Sequence, residues 1–423
     1  MSDKLKILLL NTDDTMGGAA IACQRLMNTL NKFDGIEAKM LVQEKKTQHS
    51  NIFPIAKTWL QKKLALFRFA YERLIFSFFE KSKDVRFAFS IANTGIDISE
   101  NPLVREADII HLHWVNFGFL SIESIQKLTQ LDKPIIWTLH DMWPITGGCH
   151  HSGTCENYQL TCGNCERYLK NPAENDLSNQ IWGRKSKAFS SKINIVGCSQ
   201  WLANRAKKSS LFKDSLVQSI PNPIDTDVFK PFDKQKIRTD LGLETKTKYI
   251  LFVAAKISVI WKGFSYFISA LEILKSQKNS NENIELIILG QAEEDLISQL
   301  PFRTHALGRI NDVSKIVKIY NAADVFVIPS IEENLPNTIM EALSCGVPSV
   351  GFETGGIPEM IAHKTNGYLA EYKNPNDLAK GIDWVLFESD YELISKNARK
   401  KVLENYAQEV VAKKYVEVYK SII

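Results

Sequence analysis

Nowhere does this 423-residue chain hold the ~20 consecutive apolar residues that a membrane-spanning helix needs. Its opening, "MSDKLKILLLNTDD", has an apolar run of about five residues, too short for the h-region of a secretory signal. Charge of one sign is scarce as well. Lysine and arginine total 52 against 48 aspartates and glutamates, leaving +4, so bulk attraction to nucleic acid is excluded as a general role. On these absences the chain is expected in the cytoplasm, where thiols stay reduced and clustered cysteines bind metal more often than they pair. What is present, 44% hydrophobic and 24% charged residues, is the composition of a soluble globular protein long enough for two cores.

The apolar residues come in short aliphatic runs. In the first half these are "LKILLLN", "GIEAKMLVQ", "ADIIHLHW", "KPIIWTLHD" and "INIVGCS", with helix-like segments between them. The rhythm restarts after "SIPNPIDTDVFKPF", with "KYILFVAA", "IELIILG", "DVFVIPS" and "PSVGFE". β-Branched runs alternating with helices predict α/β architecture with parallel sheets covered on both faces. Two doubly wound, Rossmann-like domains are expected to face each other across a ligand-binding cleft. The Pro- and Asp-rich piece from Pro221 to Asp233 is the natural linker. The expected domains are 1–215 and 216–404, with a last helix, 405–423, packing back on the first.

One segment breaks the rhythm. Between Thr58 and Phe89, Leu60, Leu64, Phe67, Tyr71, Leu74 and Phe78 recur at helical spacing among Lys62, Lys63, Arg68, Arg73, Lys81 and Arg86. A basic, aromatic amphipathic helix suits peripheral contact at the inner face of a membrane, and equally a helix packed on a domain surface with its lysines in water.

The most specific chemistry lies in "PSIEENLPNTIMEALSCGVPSVGFETGGIPEMI". Glu333 and Glu341 stand eight positions apart, separated by a loop holding Asn334 and Leu335 and by a helix start near Thr338, with Pro336 before it and Asn337 or Thr338 as its cap. Such an N-terminus attracts anions. Glu341 suits a ribose diol, and Glu333 suits sugar hydroxyls or positive charge at a reacting carbon. Two surface glutamates flanking a buried helix would explain either alone, but not the Gly, Pro and Asn punctuation around them. Lys256 and Lys262, in "AAKISVIWKGFSYF", fall after a strand, at the sheet edge where ligands bind. They would neutralise a leaving diphosphate without a metal ion, though solvated loop lysines fit the spacing as well.

Together these residues resemble the retaining family-4 glycosyltransferases of GT-B fold, over nearly the whole chain. Gly17 and Gly18 match the family's Gly-rich first loop, His140 in "WTLHD" its histidine, Lys256 and Lys262 its basic pair, and Glu333 and Glu341 its glutamates. "SIPNPIDTDVF" resembles the interdomain segment, with Pro223 where glycine is usual. The region of Gly308 is similar to the part that faces the nucleotide base. Lys256 stands where arginine is frequent, which keeps the charge but loses the bidentate fork. The resemblance implies transfer of a sugar from a nucleotide-diphosphate donor to a glycan or lipid-linked acceptor, with retention and with no cofactor required for catalysis. His140 and Glu333 would be catalytic; Gly17, Gly18, Lys256, Lys262, Gly308, Asn334, Leu335 and Glu341 would bind the donor. A non-catalytic nucleotide-sugar-binding protein or an epimerase on the same fold is the alternative. His111 and His113, in "HLHW", are expected to be structural or to support His140.

Four of the seven cysteines, Cys149, Cys155, Cys162 and Cys165, crowd into "GGCHHSGTCENYQLTCGNC". Only the last pair has the C-x2-C spacing typical of zinc sites. A closed structural zinc, in which His150 or His151 can replace one thiolate, is expected ahead of free thiols or disulfides. The stretch is similar to one in family members of exopolysaccharide assembly, and a flap shaping the acceptor side is expected.

Overall fold

The computed structural model describes residues 4–189, 192–277 and 283–423. The chain divides into two compact units, the first comprising Met1–Pro223 with Val411–Ile423, the second Ile224–Val410. The first is built on seven strands: β1 (Leu5–Asp13), β2 (Ile36–Glu44), β3 (Ile52–Pro54), β4 (Ile109–Leu112), β5 (Ile135–Leu139), β6 (Ile193–Gly197) and β7 (Val217–Ser219). All pair in parallel, in the order β3-β2-β1-β4-β5-β6-β7. Strand order reverses between β1 and β4, the point at which a doubly wound sheet opens a crevice at its carboxyl edge.

Aliphatic runs rather than alternation mark these strands because helices cover both faces. Ile7, Leu8, Leu9 and Leu10 in β1 are all buried. The final helix, Gln408–Ser421, returns to this unit, and its Val411, Ala412, Tyr415, Val418 and Tyr419 join one core with Leu9, Leu26, Met40 and Ile136.

The second unit repeats the plan with six strands: β8 (Lys248–Lys256), β9 (Ile284–Gln291), β10 (Arg303–Ala306), β11 (Val325–Ile328), β12 (Ser349–Phe352) and β13 (Gly367–Ala370). Their order, β10-β9-β8-β11-β12-β13, is again parallel, with its reversal between β8 and β11.

The segment from Thr58 differs from expectation in two ways. The helix ends at Ser77, with Thr58 closing its start in a capping box, and the chain beyond runs irregularly to Phe89. The helix also packs through a stripe other than the apolar one. Ala65, Glu72, Arg73 and Phe76 are buried, while Leu60, Leu64, Phe67, Tyr71 and Leu74 are exposed. Among the described residues no helix is long and apolar enough to cross a membrane.

Candidate active site

In the second unit the loops that follow β8, β11 and β12 converge, and backbone geometry holds them together. Lys256 is the last residue of β8, and Lys262 lies in a short 3-10 turn, Ile260–Lys262. Gly263 ends that turn in the left-handed region, at φ 70°. A Cβ there would stand 1.8 Å from the carbonyl oxygen of Pro329, so only glycine lets the β8 loop lie against the β11 loop. The Ile331 amide donates to the Trp261 carbonyl at 2.9 Å and fixes the same approach. From the other side Gly355, at φ 57°, would bring a Cβ to 1.7 Å from the Glu333 carbonyl oxygen. The Glu333 backbone is therefore pinned between two neighbours before its side chain does anything.

That side chain meets Lys262. Lys262 Nζ donates to Glu333 Oε1, and Ser330 Oγ donates to the same oxygen at 3.3 Å. The lysine side chain keeps 32% exposure and the glutamate 14%, so the pair is wet enough for an arriving anion to reach the ammonium group. Lys256 lies 3.6 Å from Glu293, both about half exposed, a weak contact that yields easily to a ligand.

Asn334 and Leu335 are buried beside Glu333, and the helix Asn337–Ser344 follows. Neither Asn337 nor Thr338 caps it. Pro336 itself occupies the N-cap position, where it has no side chain to offer, and no acidic residue lies in the first turn. Neither the N-cap side chain nor an acid of the first turn therefore offsets the positive end of the helix. Glu341, one turn in, accepts from the Tyr320 hydroxyl at 3.1 Å. Gly308, just past β10, accepts through its carbonyl from the Gly290 amide at 2.8 Å, at the end of β9. Lys262 and Glu333 are brought into direct contact, while Lys256, Gly308 and Glu341 belong to neighbouring strand ends and the adjoining helix.

In the first unit the predicted residues sit at the carboxyl ends of β1 and β5. Gly17 and Gly18 open the helix Gly17–Leu30. The turn before it is organised by Asp13, which accepts from the amides of Thr15 at 2.7 Å and Met16 at 2.6 Å. Burial would raise the Asp13 carboxyl, but Lys46 and those amides outweigh it and hold the group below the usual range. The β1 loop is tied to the β4 loop, where the Thr12 amide donates to Trp114 O at 2.7 Å and Thr12 Oγ1 to Asn116 O at 2.9 Å.

His140, directly after β5, forms one end of a histidine chain. Its Nε2 lies 2.9 Å from Nδ1 of His113, and the two rings stack at 5.2 Å. His111, two residues back on β4, bonds the Tyr419 hydroxyl through Nδ1 and Thr138 Oγ1 through Nε2, both at 2.8 Å. His111 and His113 are buried, and only His140 keeps partial exposure. Burial pushes His111 down to about 3, His113 well below its ordinary value and His140 to about 4, the last despite an opposing pull from Asp141. All three imidazoles are neutral at pH 7, so each carries a single N–H, and the partners of His113 and His140 decide where it sits. Nε2 of His113 is buried without a partner. An orphaned N–H costs more than an orphaned lone pair, so the His113 proton belongs on Nδ1, donated to His140. That leaves the His140 proton on its own Nδ1.

Sequence reasoning missed Asp141 and its partners. Asp141 Oδ2 accepts from Trp114 Nε1 at 2.8 Å and pairs with His150 Nδ1 at 2.6 Å, while Oδ1 accepts the Trp143 amide at 2.8 Å. Burial alone would raise this carboxyl; His150 and the Trp143 amide bring it down to about 2. The only signal in the sequence was its adjacency to His140. The other nitrogen of His150 is also engaged, with Ser90 Oγ at 2.9 Å, so His150 is not available to replace a thiolate.

The four clustered cysteines do share one small cavity, lined also by Phe89, Tyr158 and Ser178, and all are free thiols. Burial raises the Cys162 thiol to about 11 and Cys165 to about 12, and pushes Cys149 well above its ordinary value. Among the described residues no group of three or more His, Cys, Asp or Glu side chains is arranged to hold a metal ion, so the expected structural zinc finds no support. Just ahead of the stretch, the fully buried Lys185 donates to the carbonyl oxygens of Trp143 and Thr146, and within it the Gly163 and Cys165 amides donate to Ser178 Oγ at 3.0 Å and Asp176 Oδ2 at 2.7 Å.

Residues 233–401 match the model of a family described as glycosyl transferases group 1. An uncharacterized glycosyltransferase of Methanocaldococcus jannaschii is 35% identical over 354 residues, which is 78% of this chain and 88% of that protein. A glycosyl transferase of Escherichia coli named for colanic acid biosynthesis is 26% identical over 276 residues, 62% of each chain. The chain spans about half the length of other relatives, an N-acetyl-alpha-D-glucosaminyl L-malate synthase of Bacillus anthracis among them. Among solved structures, sucrose-phosphate synthase from Thermosynechococcus elongatus superposes with a TM-score of 0.69 over 99% of both chains at 16% identity, a likeness of fold alone. That fold is GT-B, with its two parallel Rossmann-like sheets. With the relative from Methanocaldococcus jannaschii aligned over most of its length, the chain belongs to the family of glycosyl transferases group 1.

Proposed function

We propose that this glycosyltransferase moves a sugar from a nucleoside-diphosphate donor to an acceptor hydroxyl with retention of configuration, in the assembly of a surface polysaccharide. The observation that carries the reading is the Lys262–Glu333 pair at the strand-order reversal of the second sheet, held by Gly263 and Gly355. Breaking the anomeric C–O bond puts negative charge on the departing diphosphate and positive charge on the sugar ring. Lys262 is drawn to the first and Glu333 to the second, so the two ends of one ion pair separate onto the two charges of the transition state. Lys256 and the start of the helix Asn337–Ser344 add to the diphosphate side.

In this reading Glu341 takes the ribose diol, Asn334, Leu335 and Gly308 line the nucleotide, Gly17 and Gly18 bind the donor, and His140 meets the donor sugar or the acceptor near the reacting centre. His140, neutral and oriented by His113, acts through a hydrogen bond rather than as a cation. The name of the colanic acid relative supports a polysaccharide product, and a glycan or a lipid-linked glycan is the proposed acceptor. An acceptor carried on a lipid would bring the enzyme to a membrane surface by way of segment 58–89. The test is incubation with uridine, guanosine, thymidine and adenosine diphosphate sugars and with lipid-linked acceptors. Release of nucleoside diphosphate from one donor, dependent on acceptor, is the expected outcome. No release from any donor, with donor binding unchanged in Lys262→Ala, would overturn the reading.

A further inference from the structure

A helix at the surface of a water-soluble domain ordinarily buries its apolar stripe and turns its charges outward. The helix Trp59–Ser77 does the reverse. Its inward face carries an ion pair, Arg73 Nη2 to Glu72 Oε1 at 2.7 Å, with Glu72 and Arg73 both buried. Glu72 Oε1 also accepts the Ala92 amide at 3.0 Å, and Arg73 Nη1 donates to Phe89 O at 2.7 Å. Arg68 Nε donates to Gly118 O at 2.9 Å and ties down the same side. These polar contacts, with buried Ala65 and with Phe76 stacked on Phe89 at 4.7 Å, fasten the helix, and most of its large apolar residues are left pointing away. Ten of the 24 exposed large apolar side chains among the described residues lie between Trp59 and Phe87, with Trp59 at 72% and Phe67 at 63% exposure. This concentration is a surface of a kind that monomeric soluble proteins keep small.

We propose that this outward face docks on the surface of an anionic lipid bilayer. Charge chooses the occupant. Lys57, Lys62, Lys63, Lys81 and Lys83 are exposed around the patch, whereas Glu72 and Glu80 are buried, so Asp84 is the one exposed acid from 57 to 87. A second copy of the chain meeting this face with its own would set lysines against lysines. Anionic headgroups satisfy the lysines while the acyl boundary takes Leu60, Leu64, Phe67 and Leu74. Trp59 and Tyr71 suit the level between the two. The helix carries Lys62, Lys63, Arg68, Glu72 and Arg73 within its 19 residues, and it is this charge, not its length, that keeps it along the interface rather than across it. The surface is independent of the donor reading, and its test does not use turnover.

The test is flotation of the full chain with vesicles of phosphatidylglycerol and phosphatidylcholine, and with phosphatidylcholine alone. The expected result is binding to the anionic vesicles that falls with added salt. Reversing Lys62 or Lys63 to Glu should weaken it about fivefold each. The combined Leu64→Glu, Phe67→Glu and Leu74→Glu variant should weaken it more than tenfold, with the melting temperature near wild type because all three side chains are exposed. As a readout that needs no folded variant beyond a conservative one, brominated lipid should quench a part of the wild-type fluorescence that is missing in Trp59→Phe. No binding to anionic vesicles, or no quenching assignable to Trp59, overturns the proposal. So does a concentration-dependent dimer that the triple substitution abolishes, which would give the face to a second copy.

Discussion

Nδ1 of His113 and Nε2 of His140 lie 2.9 Å apart, joining the ends of β4 and β5 through two stacked imidazoles. Because burial holds both rings neutral at pH 7, the bond settles which nitrogen of His140 carries the proton. Nitrogen-15 spectra of the protein should show His140 as the Nδ1–H tautomer from pH 5.5 to 8. His113→Phe should release that preference and lower kcat/KM more than it raises KM. An Nε2–H signal for His140 in the wild type would contradict the assignment.

Acid stability should follow the same histidines. His111 titrates near 3 in the fold against an ordinary 6.5, so between those values the unfolded chain holds a proton that the native chain does not. Stability then falls as pH drops through that window, by about 2 kcal/mol at pH 5 for this one fully buried ring. His113 adds to the loss with the same sign. Asp141, held near 2 against 3.8, loses its contribution only below about pH 4. Thermal melting should therefore show a first decline between pH 6.5 and 5, which His111→Gln makes shallower. A melting temperature flat from pH 7 to 5 would contradict this.

Splitting the ion pair should hurt chemistry more than folding. Lys262→Ala and Glu333→Gln each remove one end of a contact that stays partly wet, so stability should change by no more than about 1 kcal/mol. Turnover should fall about 10²- to 10³-fold in each, the range for losing one preorganised electrostatic partner of a transition state. Calorimetry with nucleoside diphosphate should show weakened binding in Lys262→Ala and near-normal binding in Glu333→Gln.

Two glycines should behave like catalytic residues although neither offers a functional group. Gly263→Ala and Gly355→Ala would each place a Cβ within 1.8 Å of a backbone oxygen at a positive φ. The loops must part, and Lys262 and Glu333 with them. Both variants should lose most activity and melt several degrees lower, whereas Gly183→Ala, which meets nothing within 4 Å, should do neither.

Much of the fold was legible because buried parallel strands leave uninterrupted aliphatic runs, such as Leu8 to Leu10 in β1 and Leu286 to Leu289 in β9. The edge strands β3, β7, β10 and β13 were not, since they hold too few consecutive aliphatic residues to stand out, unlike the equally short central strands β4 and β11. In the site, the glutamates and lysines were readable from their spacing and from the resemblance it supported, but the contact of Lys262 with Glu333 depends on loops far apart in sequence. The support that His113 gives His140 was expected, whereas the partners of Asp141 were not, because hydrogen bonds between separate loops have no local signature. The stripe from Leu60 to Leu74 is plain in the sequence; which way it faces was decided by Glu72 and Arg73, whose burial as a pair no periodicity predicts. The cysteine spacing suggested zinc, and in the fold His150 is spent on Asp141 and Ser90 instead.

The most direct measurement is the anomeric configuration of the product, followed by proton NMR alongside release of nucleoside diphosphate for the wild type and Lys262→Ala. Retention at the Lys262–Glu333 pair gives a product with the donor's configuration, formed at least about 10²-fold more slowly by the variant. An inverted product, or a variant that turns over like the wild type, would contradict it.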